Sequence, residues 1–213
     1  MINHHQRDTQ LSQIISRQPY AFNINNLTLQ IAKDVFPPDL GFTSHYLAQI
    51  LKNFHPRTAL DMGCGCGYLA LVIKQLGTPH VYASDVHLPA IKCTKHNIQT
   101  NHLSPITVMH SDLFTSIPQN QFDLIVFNQP YYPNTGNTIF GCGKDGGQQI
   151  TTQFLTQAKR YLAHNGCILM PFSTMAQELH NPRIIAHALN FQTKTIFHKQ
   201  DKTQDHYIYQ ISL

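Results

Sequence analysis

Residues 58–71 carry the sequence TALDMGCGCGYLAL, and this stretch decides the fold. A short apolar run of Ala59, Leu60 and Met62 meets three alternate glycines and passes directly into an apolar-periodic segment at 68–76. The pattern predicts a strand, a tight glycine loop and a helix. Glycine tolerates positive φ and has no Cβ, and the first turn of a helix offers free N–H groups. The stretch is therefore suited to hold a ligand close to the backbone.

An acid ahead of the loop narrows the class of ligand. Asp61 stands two residues before Gly63, and Gly65 and Gly67 follow at alternate positions. The dinucleotide fingerprint is G-x-G-x-x-G, whereas an acid beside a G-x-G-x-G loop suits a ligand with an amino group better than a pyrophosphate. The arrangement D-x-G-x-G-x-G resembles the first motif of class I S-adenosylmethionine methyltransferases. This resemblance implies that the loop passes under the amino-acid part of S-adenosylmethionine. A nucleotide-dependent oxidoreductase stays open as an alternative.

Strand and helix patterns alternate along the rest of the chain until two strands pair at its end. This order predicts an α/β fold: a doubly wound, mostly parallel seven-stranded sheet with an antiparallel C-terminal edge hairpin, that is, a Rossmann-like fold. The first predicted strand precedes the glycine loop, and the other six lie at 80–84, 106–110, 121–127, 166–172, 193–198 and 206–213. The predicted helices lie at 68–76, 88–101, 148–162 and 178–189, and Pro182 interrupts the last one early.

The length of 213 residues suits one such domain with a small addition. We expect a catalytic domain at 43–213 and an N-terminal extension at 1–42. The extension is predicted to contain a short helix at 3–18 and a strand at 27–31, and to cover part of the active site.

Two further acids follow predicted strands. Asp85 ends the second strand at about the 20-residue distance from the glycine loop at which nucleotide folds place an acid on ribose hydroxyls. Asp112 follows the third strand, where a carboxylate can accept from the amino group of an adenine. Because ligands of such sheets bind at the carboxyl ends of the strands, we expect both acids to bind the cofactor together with the glycine loop.

The fourth strand ends in Asn128-Gln129-Pro130-Tyr131, which carries the predicted chemistry. Methylation of a planar nitrogen needs two acceptors for its N–H groups and a flat surface for its plane. The Asn128 side chain and the Gln129 carbonyl offer the acceptors, and Tyr131 can stack on the plane. The turn resembles the N-P-P-Y motif of HemK-like protein-glutamine methyltransferases and of several adenine and guanine methyltransferases. The resemblance implies an N-methyltransferase acting on protein glutamine or an RNA base.

Gln129 departs from that motif, because proline is usual at its position. The second acceptor is a backbone carbonyl, and Pro130 still favours an extended backbone at residue 129. We therefore expect weakened preorganisation of the turn with its chemistry retained. Two alternatives stay open, a catalytically impaired S-adenosylmethionine-binding protein with a regulatory or scaffold role, and a small-molecule methyltransferase.

Composition constrains the partners and the compartment. The chain has a formal net charge of +4 and only 12% charged residues, without a Lys/Arg-rich run. This favours RNA or ribosome-associated targets mildly and argues against extensive phosphate contacts.

The polar residues 1–18 predict neither a signal peptide nor a membrane span, and the odd number of cysteines, five, suits a reducing cytoplasm. Cys64 and Cys66 lack a second Cys/His pair at zinc-site spacing, so we expect no metal.

Overall fold

The structure, a computed structural model, describes residues 13, 16–40, 42–119, 121–130, 147–176 and 178–213. Within this part of the chain it contains nine strands and five α-helices. In chain order they are β1 (Tyr20–Ile24), β2 (Leu27–Ile31), α1 (Phe42–Leu51), β3 (Thr58–Met62), α2 (Tyr68–Gln75), β4 (His80–Asp85), α3 (Leu88–Thr100), β5 (Thr107–His110), β6 (Phe122–Phe127), α4 (Gln148–Ala158), β7 (Leu162–Ser173), α5 (Pro182–Ala188), β8 (Gln192–Gln200) and β9 (Asp205–Ser212).

Seven strands form one sheet in the order β5-β4-β3-β6-β7-β9-β8. Strands β3 to β7 pair in parallel, and β9 pairs antiparallel with both β7 and β8. The predicted fold class is therefore confirmed. The chain builds outward from β3 through β4 to β5 and then returns to the other side of β3 with β6. The order thus reverses between β3 and β6, where doubly wound sheets form their ligand crevice.

Two apolar clusters cover the two faces of the sheet. Strand β6 contributes side chains to both clusters: Leu124 and Val126 belong to one, and Ile125 and Phe127 belong to the other. Helices α1 to α3 pack on the first face, and α4 and α5 pack on the second. Because both faces are covered, β6 appears in the sequence as an unbroken apolar run.

A separate two-stranded antiparallel sheet, β1 and β2, precedes α1. Asn25 and Asn26 join its strands with φ of 51° and 60°, the left-handed conformation of a tight hairpin turn. Leu27, Leu29 and Ile31 of β2 are buried in the cluster of the first face. The predicted strand at 27–31 is thus found, whereas β1 was not predicted. Most of the helix predicted at 3–18 lies outside the described residues.

Two predicted boundaries shift in the second half of the chain. Helix α4 ends at Ala158, four residues early, and β7 begins at Leu162 because this residue pairs with Phe122 of β6. The helix predicted at 178–189 is a 3-10 turn followed by α5, which begins at Pro182, where proline fits the first helical turn.

Among the residues that the structure describes, every helix is too short or too polar to span a membrane.

Candidate active site

The glycine loop joins β3 to α2 in a conformation that glycine favours. Gly63, Gly65 and Gly67 have φ of 66°, 57° and 85°. A Cβ at Gly67 would lie 2.8 Å from the Cγ2 of Thr94 on α3, so this position admits no side chain without a shift of α3 or the loop. Gly63 is exposed. The loop thus packs tightly against α3 and leaves its first glycine accessible.

Asp61 lies beneath the loop and is only 1% exposed. Its Oδ2 accepts a hydrogen bond from the backbone N–H of Ala70 at 2.9 Å. This bond satisfies one of the free amides in the first turns of α2. Burial raises the pKa of the Asp61 carboxyl to about 8. The hydrogen bond from Ala70 lowers this pKa, and the charge of Asp85 raises it further. A contact of Asp61 with the cofactor's amino group stays a prediction.

Asp85 ends β4 and faces the loop. Its Oδ2 accepts from the backbone N–H of Gly65 at 2.9 Å, and its Oδ1 accepts from that of His87 at 2.8 Å. Each carboxylate oxygen has a second lone pair, so the partly exposed side chain can still accept from two hydroxyls. Val86 and Leu88, which the sequence analysis missed, are 60% and 54% exposed beside it. They offer apolar surface next to a polar acceptor, as a nucleoside requires.

Asp112 lies beyond β5, at the same edge of the sheet. His110 of β5 pairs with Asp85 of β4, which places Asp112 two residues past the level of Asp85. The Ser111 hydroxyl donates to the carbonyl of Leu113 at 2.8 Å and holds the turn, in which Leu113 has a φ of 46°. The Asp112 side chain is exposed.

Asn128 is the first residue after β6 and stands beside the glycine loop. Met62 of β3 pairs with Phe127 of β6, so Gly63 and Asn128 follow neighbouring strands at the same level, and such strands lie about 4.8 Å apart. The Nδ2 of Asn128 donates to the Oγ of Ser44 on α1 at 2.9 Å. This bond to the buried Ser44 uses the amide nitrogen, which only donates, and the Oδ1 of Asn128 is the atom of the side chain that can accept a hydrogen bond.

Gln129 points into the protein and is 2% exposed. Its Nε2 donates to the backbone carbonyl of Pro171 in β7 at 2.9 Å. Its Oε1 is buried and has no hydrogen-bond partner within the described residues. Pro130 is partly buried, and Tyr131 lies outside the described residues. The turn is therefore anchored through two successive side chains, Asn128 to α1 and Gln129 to β7.

The structure brings together most of the residues singled out in the sequence. The glycine loop, Asp85 and Asn128 surround the carboxyl ends of β3, β4 and β6, and Asp112 extends this edge at β5. Sequence reasoning missed Ser44 as a partner of Asn128. Its role depends on a contact between residues 84 positions apart.

Cys64 and Cys66 are buried free thiols in the loop. The Sγ of Cys64 lies 3.3 Å from the Oγ1 of Thr94, and burial raises the pKa of both thiols. Metal ligation and nucleophilic chemistry need the thiolate, which this environment disfavours. No metal-competent group of three or more His, Cys, Asp or Glu residues occurs in the part of the chain that the structure describes.

Comparison with known proteins adds independent findings. The family model described as methyltransferase small domain matches residues 26–202. The chain is 30% identical over 145 residues to the ribosomal RNA small subunit methyltransferase C of Haemophilus influenzae (strain 86-028NP), covering 67% of this chain and 41% of that protein. It is 44% identical over 69 residues to the ribosomal protein L11 methyltransferase of Thermotoga neapolitana, covering 32% of this chain and 25% of that protein.

Among solved structures, the T. thermophilus 16S rRNA N2 G1207 methyltransferase in complex with AdoMet and guanosine shares this fold. It aligns with a TM-score of 0.63 and 18% identity, over 91% of this chain and 49% of that chain. The chain thus spans less than half the length of these three proteins.

Proposed function

Because this chain belongs to the methyltransferase small domain family, whose cofactor is S-adenosylmethionine, we propose that it methylates a planar exocyclic amine of an RNA base. Membership confirms the resemblance drawn from the glycine loop and the Asn128 turn. The observation that carries the proposal is the position of Asn128. Asn128 directly follows β6, beside the first glycine of the cofactor loop, and its amide is held by Ser44 of α1.

The residues at the ends of β3, β4 and β5 fit the parts of S-adenosylmethionine. The exposed Gly63 leaves room for the amino-acid part, and the carboxylate of Asp85 retains lone pairs for ribose hydroxyls. Asp112 is proposed to accept from the adenine amino group, and the exposed Val86 to offer apolar surface to the adenine ring. When bound, S-adenosylmethionine supplies an electrophilic methyl group on a sulfonium.

The acceptor is proposed to bind at the Asn128 turn. The Oδ1 of Asn128 and the backbone carbonyl of Gln129 accept the N–H groups of the amine, and Tyr131 stacks on the ring. Held in this way, the nitrogen presents its lone pair to the methyl carbon. In this position the nitrogen would attack the methyl carbon while the C–S bond broke with its electron pair going to sulfur, and the methylated nitrogen would then lose its proton to solvent. The rate enhancement would come mainly from this in-line positioning.

RNA is favoured as the acceptor by three observations. A relative that covers 67% of this chain is named a ribosomal RNA small subunit methyltransferase, and a 16S rRNA methyltransferase with the same fold was solved in complex with guanosine. The net charge of +4 also suits an anionic partner. A protein acceptor is the second candidate, favoured by the 44% identity over 69 residues to a ribosomal protein L11 methyltransferase. Both substrates would place the protein at the ribosome, in the cytoplasm.

The presence of glutamine at position 129 does not imply that the protein has lost its catalytic activity. Its buried side chain ties the turn to β7, and this bond restrains the backbone that proline would otherwise restrain through its ring. We therefore propose an active enzyme.

Calorimetry with S-adenosylmethionine, followed by transfer of labelled methyl groups to fractionated ribosomal RNA and ribosomal protein, tests the proposal. We expect cofactor binding and label in the RNA fraction. Label in protein alone would favour the second candidate. Absence of cofactor binding, or binding that survives Asp85→Ala unchanged, would contradict the proposed site.

A further inference from the structure

Asn97 of α3 and Asn101, which directly follows the last residue of this helix, face the free edge of β2 one helical turn apart. The Oδ1 of Asn97 accepts from the N–H of Gln30 at 2.9 Å, and its Nδ2 donates to the carbonyl of the same residue at 3.0 Å. Asn101 makes the same two bonds with Thr28, each 2.8 Å long. Each side-chain amide therefore replaces a residue of a neighbouring strand.

The spacing of the two asparagines explains why this pairing works. Residues four apart on a helix are separated by about 6 Å along its axis, and residues two apart on a strand by about 6.8 Å. Thr28 and Gln30 direct their N–H and C=O groups away from β1, so without α3 these groups would form an open strand edge. Together with the burial of Leu27 and Leu29, the pairing docks the hairpin formed by β1 and β2 on α3.

Asn97 also reaches the glycine loop. Its Nδ2 donates to the carbonyl of Cys66 at 2.8 Å, and the residue is fully buried. One turn earlier, the Thr94 hydroxyl donates to the carbonyl of Gly65 at 3.0 Å. Helix α3 thus binds two successive carbonyls of the loop. A single amide group, that of Asn97, contacts both the hairpin and the loop.

We infer that the hairpin formed by β1 and β2 supports the cofactor site. Asn97 is the positioning residue that connects the hairpin to the glycine loop. Docking of the hairpin fixes the Asn97 amide, and the fixed amide holds the Cys66 peptide in the loop conformation that binds S-adenosylmethionine. The inference rests on the proposed role of the glycine loop. Because coupling between two binding equilibria is reciprocal, the cofactor must in turn stabilise the docked hairpin.

Hydrogen exchange of the wild-type protein tests this reciprocity without a mutation. The backbone amides of Thr28 and Gln30, which donate to the two asparagines, should exchange several-fold more slowly at saturating S-adenosylmethionine. The amide of Asn190, bonded to the His187 carbonyl after α5, serves as the reference and should change little. Unchanged exchange at Thr28 and Gln30, with cofactor binding verified by calorimetry, would overturn the inference. No cofactor binding at all would instead overturn the proposed function.

A matched pair of variants separates positioning from stability. Asn97→Asp replaces the donor to Gln30 and Cys66 by an oxygen, whereas Asn101→Asp makes the same replacement at Thr28 and leaves the Cys66 bond in place. Both should lower the melting temperature. Asn97→Asp should weaken S-adenosylmethionine binding about tenfold, the effect of one lost buried hydrogen bond, because it removes the donor to Cys66. Asn101→Asp, which loosens only the hairpin, should cause a smaller loss. Wild-type cofactor affinity in a folded Asn97→Asp protein would contradict the inference.

Discussion

Gln129 donates a hydrogen bond from its Nε2 to the backbone carbonyl of Pro171, 2.9 Å away in β7. This contact gives a physical role to the one residue that departs from the N-P-P-Y pattern. Proline would restrict the turn through its ring, whereas glutamine restricts it through a bond to the next strand. The sequence predicted weakened preorganisation at this position, and the buried bond offers compensation for it.

Removal of this bond should slow methyl transfer. We expect Gln129→Ala to lower kcat about tenfold, because the Gln129 carbonyl then loses its fixed direction, while Gln129→Pro should retain most of the activity. Steady-state kinetics with the identified RNA acceptor measure both. A wild-type kcat in Gln129→Ala would show that the anchor is irrelevant. An inactive wild type that gains activity with Gln129→Pro would support the impaired alternative.

The Asn128 amide should be required for transfer but not for cofactor binding. Asn128→Ala is expected to lower kcat at least about 100-fold, the scale of a misplaced reacting group, with unchanged affinity for S-adenosylmethionine. Ser44→Ala should cause a smaller loss, about tenfold, because it removes the partner that orients the amide. Single-turnover rates and calorimetry distinguish the two effects. Equal losses of cofactor affinity would instead assign both residues to the cofactor site.

The two acids at the strand ends should differ in their effect on cofactor binding. Asp85→Ala should weaken S-adenosylmethionine binding about 10- to 100-fold, since it removes charged acceptors worth about 1.5–3 kcal/mol and releases the Gly65 and His87 amides. The exposed Asp112 should contribute less than tenfold on substitution by alanine. Calorimetric titration ranks the variants, and a larger effect at Asp112 than at Asp85 would refute the assignment.

Burial of Asp61 predicts a pH dependence of stability. Its pKa is raised from 3.8 to about 8 in the folded protein, so its stabilising contribution is fully present below about pH 4 and is lost as the pH rises through about 8. Asp61→Asn keeps an acceptor for the Ala70 amide and removes the titration. Urea unfolding between pH 5 and 9 should therefore show a flatter profile for the variant. Parallel profiles would show that Asp61 titrates normally.

Local patterns sufficed to predict the sheet and the edge at which the candidate site residues lie. The glycine spacing around Gly65, the acid at Asp85 and the apolar run before Asn128 each follow from the chain's local order, and the structure places them at one edge. Strand β1 was missed because its side chains are only partly buried, although the Asn25-Asn26 pair was an available turn signal.

The contacts that hold the site in place could not be predicted in the same way. Ser44 meets Asn128, Gln129 meets Pro171 and Asn97 meets Cys66 only after helices and strands pack. These partners are separated by 31 to 84 positions, so no local pattern of the sequence relates them. Only the tertiary structure shows which of their polar groups meet.

The most direct measurement is the identity of the methylated nucleoside. Ribosomal RNA that lacks the modification is incubated with the wild-type protein and methyl-labelled S-adenosylmethionine, digested to nucleosides and analysed by mass spectrometry, with Asn128→Ala in parallel. We expect label on the exocyclic amine of one purine or pyrimidine base with the wild type and none with the variant. Label on a ring carbon or on ribose, or equal label with Asn128→Ala, would contradict it.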